Sequence, residues 1–189
     1  MTESDDDLFR EINRLAHELP ADGALHHQIL SLGDLENSSA ALDLRVATAG
    51  ASAVEAGLRR AISQHYHADL SRAELDAMFT RGPLASFNGL IAKALALGIV
   101  SVDHARELHR LRRVRNAFAH AMNAVTFEDA PVTALMRRLW HYPVTNWAAH
   151  FTPVFSSRSQ FAIICETFCS SFLRYRVGDV PLTRGGTDS

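Results

Sequence analysis

Arg115, Asn116 and His120 lie within one short segment, Arg115-Asn116-Ala117-Phe118-Ala119-His120, and their chemistries complement one another. A histidine exchanges a proton near neutral pH and can take one from a ribose 2′-OH. An arginine beside it can neutralise the charge that a phosphate develops in the transition state. The Asn116 amide can orient either group. Together the three could cleave RNA without a metal. On an ideal helix, however, Arg115 and His120 point about 140° apart. They meet at one phosphate only if the helix ends near Ala119 or if two chains pair across it.

The segment has to be carried by a helix. From Val102 to His120, Leu108, Leu111, Val114 and Phe118 fall on one arc of roughly 120°, after Ser101 as a cap. Arg115 and His104 lie inside that apolar arc. A buried guanidinium must meet a carboxylate, backbone carbonyls, a partner chain or a phosphate. Glu55 and Asp43 are the internal candidates. Arg106, Arg110 and Arg113 form a stripe on another face, either a solvated surface or the basic rim of a cleft that steers an anionic partner.

Other helices follow from spacing and caps. Leu8, Ile12, Leu15 and Leu19 recur at helical spacing, and Pro20 ends that run. Asp5, Asp6 and Asp7 suit its N-terminal dipole. A short helix is expected over Leu25–Leu32. The longest runs from about Ala40 to His65, capped by Asn37, Ser38 or Ser39. Its stripe of Leu42, Val46, Ala49, Ala53, Ala56, Arg60 and Ser63 is rich in small residues and predicts a close helix–helix approach. Ser71-Arg72-Ala73-Glu74 is a capping box for a helix ending near Phe79. Arg81-Gly82-Pro83 breaks the chain. Ser86 caps a helix over Phe87–Leu97, which Gly98 ends. Asp129 and Pro131 open a helix ending near Trp140. Residues 141–157 read as an ordered, partly buried loop, and Arg158–Tyr175 as the last helix. No segment alternates as a strand would. The expectation is an all-α, single-domain bundle of about six to eight helices. Residues 1–7 are expected to be a disordered acidic start, 8–176 the domain, and 177–189 a flexible tail.

Composition narrows the function classes. The chain has 189 residues and a net charge of −2, with only Lys93 a lysine among its 19 cationic side chains. That balance excludes a uniformly basic coat for nucleic acid but not a local patch. Two cysteines make no disulfide framework, which fits a reducing, cytoplasmic setting. No signal peptide and no stretch able to span a membrane is visible.

The hexapeptide resembles the R-x4–6-H motif of HEPN-domain ribonucleases, down to the polar residue after the arginine. A longer stretch resembles the mannitol-repressor (MltR) family. It comprises Arg81-Gly82-Pro83-Leu84-Ala85-Ser86-Phe87, then Ala94-Leu95-Ala96-Leu97-Gly98-Ile99-Val100-Ser101. It continues with Leu108 through His120 and ends on Val125-Thr126-Phe127-Glu128-Asp129. The match spans roughly a quarter of the chain. This resemblance implies an all-α transcriptional regulator of repressor type, without a recognisable DNA-binding motif, acting through protein contacts as a homodimer. The HEPN resemblance implies instead a metal-independent endoribonuclease, a toxin or defence effector, with Arg115, Asn116 and His120 at its site. An antitoxin-like module that keeps the fold without the chemistry is a third possibility.

Remaining candidates are weaker. Cys165 and Cys169 share a helix face, but beside Phe161, Ile164, Phe168 and Phe172 they read as core cysteines rather than a metal half-site. His26, His27, His65 and His67 lack a metal-binding spacing. Trp140, Tyr142, Trp147, Phe151 and Phe155 could stack bases or dock a partner, though packing under a loop suits them better. No cofactor fingerprint is present. Direct DNA binding is not expected. An RNA partner follows only from the nuclease reading, and a protein partner or an antitoxin from the others.

Overall fold

Ser39–Ser63 forms a helix of 25 residues that the other elements gather around. The computed structural model describes residues 4–17, 39–66, 70–140 and 155–178, and the remaining statements concern these. In chain order the helices are α1 (Asp5–His17), α2 (Ser39–Ser63), α3 (Arg72–Arg81), α4 (Phe87–Ala96), α5 (Val102–Ala119), α6 (Ala130–Trp140) and α7 (Ser157–Arg174). A 3-10 turn, Pro83–Ala85, joins α3 to α4. The chain is an all-α bundle, with seven helices and no strand among the described residues. None of these helices is long and apolar enough to cross a membrane.

Local signals set the ends. The Ser71 hydroxyl accepts from the Glu74 amide while Glu74 reaches back to the Ser71 amide, the reciprocal cap expected there. Ser86 and Ser101 cap α4 and α5 through the amides of Gly89 and His104. Gly98 turns the chain between α4 and α5 at φ 70°, in the left-handed region that glycine favours. Ile99 N–H then donates to Ala94 O at 2.9 Å.

Helix α2 packs most extensively on α7 and also touches α4 and α5. The approach is close at two glycines. A Cβ on Gly50 would lie 3.1 Å from Cys165 Sγ, and one on Gly57 would lie 3.3 Å from the Phe172 Cβ. The stripe expected to make this contact is a correction, because Leu42, Ala49, Ala53, Ala56 and Arg60 are exposed. The packed face carries Asp43, Ala47, Ala51, Val54, Leu58, Ala61 and Ile62. Small residues occupy both sides of α2, so its pattern does not by itself choose a face. Aromatics fill the centre, with Phe118, Phe127 and Phe161 in succession at centroid distances of 4.8 and 5.3 Å.

The acidic start is a second correction. Asp5, Asp6 and Asp7 form the first turn of α1, the end whose dipole they suit, rather than belonging to a disordered lead through residue 7. Asp5 accepts from Arg110 of α5 and Arg138 of α6, each at 2.5 Å, and Asp6 accepts from Arg113 at 2.7 Å. With Leu8, Phe9, Ile12 and Ala16 buried, charge and apolar contacts together hold α1 to α5 and α6. The expected helix at 25–32, the aromatic loop from 141 to 154, His67 and the tail beyond 178 lie outside the described residues.

Candidate functional site

Helix α5 buries His104, Ala105, Glu107, Leu108, Leu111, Val114, Ala117 and Phe118. The apolar arc read from the sequence is therefore its packed face. Arg115 is half-buried at the margin of that arc. Neither internal candidate, Asp43 or Glu55, reaches it. Asp43 is fully buried, where it accepts from the Phe127 amide at 2.9 Å and from the guanidinium of Arg158. Glu55 instead pairs along α2 with Arg59 at 3.6 Å. Arg115 Nη1 donates to the Oδ1 of Asn116 at 3.0 Å, and among the described residues no carboxylate joins it. Sequence adjacency thus becomes a bonded Arg–Asn pair, with no counter-charge from the described residues.

His120 caps the C-terminal end of α5, and its ring is exposed. Its amide still donates to Asn116 O at 3.0 Å, so the helical path runs to this residue before it stops. What stops it is α1. The amides of Met122 and Asn123 both donate to Ala16 O, at 2.8 and 3.0 Å, and Asn123 Nδ2 donates to Leu15 O at 3.0 Å. These bonds turn the chain off the helix axis immediately after His120. Beyond it, Phe118, Ala121, Met122 and Val125 line a shallow apolar groove with Ala40, Ala41 and Leu44 of α2. The structure brings the Arg115 and Asn116 side chains together and leaves the His120 ring at the helix end, bonded to neither.

The three outer arginines are each neutralised within the chain. Arg106 pairs with Asp103 at 3.1 Å, Arg110 with Asp5 and Glu107, and Arg113 with Asp6 while lying 3.7 Å over the Phe9 ring. Burial pushes the Asp5 carboxyl up, but hydrogen bonds and charge from Arg138 and Arg110 outweigh it and hold it below its ordinary value.

Two residues that the sequence reading passed over belong to the same helix. Arg112 is half-buried, its Nε is shielded from solvent, and that nitrogen has no hydrogen-bond partner. His109, one turn before it, is held below its ordinary imidazole value by burial first and by the Arg112 charge second. The spacing of His109, Arg112 and Asn116 was the available signal, since residues three and four apart are neighbours on a helix.

No family model, curated protein or solved structure matches this chain.

Elsewhere, no group of three or more metal-binding side chains occurs among the described residues. Cys165 is buried against α2, and burial, with Cys169 nearby, pushes its thiol up and away from reactivity. The His65 ring meets the Tyr175 hydroxyl at 2.8 Å.

Proposed function

We propose that this chain is a transcriptional regulator of the mannitol-repressor type, working as a homodimer through protein contacts. The observation that carries it is the internal neutralisation of Arg106, Arg110 and Arg113 by Asp103, Asp5, Glu107 and Asp6. A DNA duplex is held chiefly by cationic side chains facing its phosphates. The outer stripe of α5 has spent that capacity on its own chain, so a protein is the better partner. The resemblance over residues 81–129 supports this reading, and those residues form one continuous unit, from the Pro83–Ala85 turn through α4 and α5 to the start of α6. Reporter expression from neighbouring operons, with and without the gene, tests it. Altered expression of at least one is the expected result, and unchanged expression of all overturns it.

A second reading is favoured by the Arg115–Asn116 pair and the exposed His120. In it the protein is a metal-independent endoribonuclease of the HEPN type, a toxin or defence effector. His120 takes the 2′-OH proton, the 2′ oxygen attacks the adjacent phosphorus, and Arg115 neutralises the pentavalent phosphate. The bond to the 5′ oxygen breaks, and that oxygen takes a proton from water. Two copies supply the convergence that one helix denies. Overexpression separates the readings. Toxicity lost in Arg115→Ala and His120→Ala supports the nuclease, and equally harmless growth of all three supports the regulator.

A further inference from the structure

Within α5 the arginines divide into two sets. Arg106, Arg110 and Arg113 meet acids of their own chain. Arg112 and Arg115 meet none among the described residues, although both are half-buried. The Nε of Arg112 has lost its water and gained no acceptor. Among the described residues Arg115 is bonded only to an amide oxygen, at 3.0 Å. A guanidinium nitrogen shielded from water without an acceptor is unfavourable, and an anion that arrives from outside would relieve it.

The geometry supplies a place for one. His109, Arg112 and Asn116 follow one another at three and four residues, with Arg115 one turn from Arg112, so their side chains are neighbours on one strip of α5. Described groups from other elements bring no counter-charge. Asp43 is taken up by Arg158, Glu55 by Arg59 and Asp5 by Arg110 and Arg138. His109 lies close enough that, after burial, the Arg112 charge helps hold it below its ordinary value. A second bare copy does not solve the problem either. Two-fold contact over this strip would set Arg112 and Arg115 against the same cations.

We propose that the strip formed by His109, Arg112, Arg115 and Asn116 is an oxyanion site that takes a phosphate group, with Arg112 as its principal donor. Phosphate suits it because a guanidinium offers a planar fork of donors, and two forks one turn apart can share the oxygens of one tetrahedral anion. To present Nε and Nη together, Arg112 turns about its terminal torsions. The site goes beyond the regulator reading and needs no cleavage chemistry. A phosphate-bearing signal molecule and an RNA strand carry the same group, and the test tells these sources apart.

The test follows arginine Nε–Hε signals by NMR in the intact protein, which requires no substitution. Inorganic phosphate and a short single-stranded oligoribonucleotide are titrated separately. The expected result is that the Arg112 Nε–Hε signal moves with at least one of them and saturates. Movement with both and tighter binding of the oligoribonucleotide identify a strand as the source. Movement with phosphate alone identifies a free anion. Arg112→Gln is expected to weaken the binding about tenfold. For the oligoribonucleotide it lowers the slope of log affinity against log salt by about 0.7. Arg10→Gln, which removes an exposed and already paired arginine of α1, leaves both unchanged. An Arg112 signal that neither probe moves overturns the site, as does undiminished binding by a folded Arg112→Gln protein. Loss of toxicity in His120→Ala with retained phosphate binding leaves this site standing, so its failure and that of the nuclease reading are separable.

Discussion

Asp43 has no exposed surface and carries two obligations, the Phe127 amide and the Arg158 guanidinium, which also donates to Ser39 Oγ at 2.6 Å. It ties the start of α2 to the loop before α6 and to the first turn of α7. Asp43→Ala leaves the buried Phe127 amide without an acceptor and the half-buried Arg158 without a counter-charge, held among the described residues by Ser39 alone. The expected cost is about 3–5 kcal/mol in urea unfolding, and Asp43→Asn should cost less because its carbonyl still serves Phe127. His109 gives a pH prediction. Its pKa is lowered from the ordinary 6.5, so the unfolded chain takes the proton first. Its contribution is complete above 6.5 and declines as pH falls toward the lowered value. His109→Gln should flatten the stability profile just below 6.5 relative to the parent. At this scale the sequence was partly legible. Arg115 stood out because a cation on an apolar arc is anomalous. Arg112 did not, because among the neighbouring arginines only three-dimensional pairing separates those with acids from those without.

Among the elements, the α3–α4 junction shows how a short motif positions α5. Gly89 sits in the first turns of α4, where an added Cβ would fall 1.7 Å from Pro83 O. The carbonyl belongs to backbone fixed by the Pro83–Ala85 turn, so it cannot step aside cheaply. Alanine ordinarily gains about 0.5–1 kcal/mol over glycine in a helix. Here Gly89→Ala should instead lose about 2 kcal/mol, read as a lower urea midpoint with unchanged slope. The caps at Ser71, Ser86 and Ser101 could be read from sequence because a hydroxyl and an amide three residues on are a local pair. The packed face of α2 could not. Alanine and glycine lie on both of its sides, and the choice was made by Cys165, Cys169 and Phe172 of α7, far away in the chain.

Across the whole molecule, charge does work that composition conceals. A net charge of −2 suggests little, yet Asp5 and Asp6 secure α1 to α5 and α6. Asp5 is held below its ordinary 3.8, so the clamp is complete above about 4. It weakens as pH falls through the lowered value. Asp5→Asn should remove that acid dependence and loosen α1, visible as faster amide exchange in residues 8–17. This clamp also fixes the end of α5, because Ala16 O holds the chain just after His120. The fold class was legible because periodicity and caps repeat along the chain, whereas the clamp required contacts across more than a hundred residues. Both functional readings need two copies, the regulator for its protein contacts and the nuclease to bring Arg115 and His120 onto one phosphate. Light scattering at micromolar concentration tests that most directly. A mass twice the 20.8 kDa of the chain is the predicted result, and a mass of 20.8 kDa across that range would contradict it.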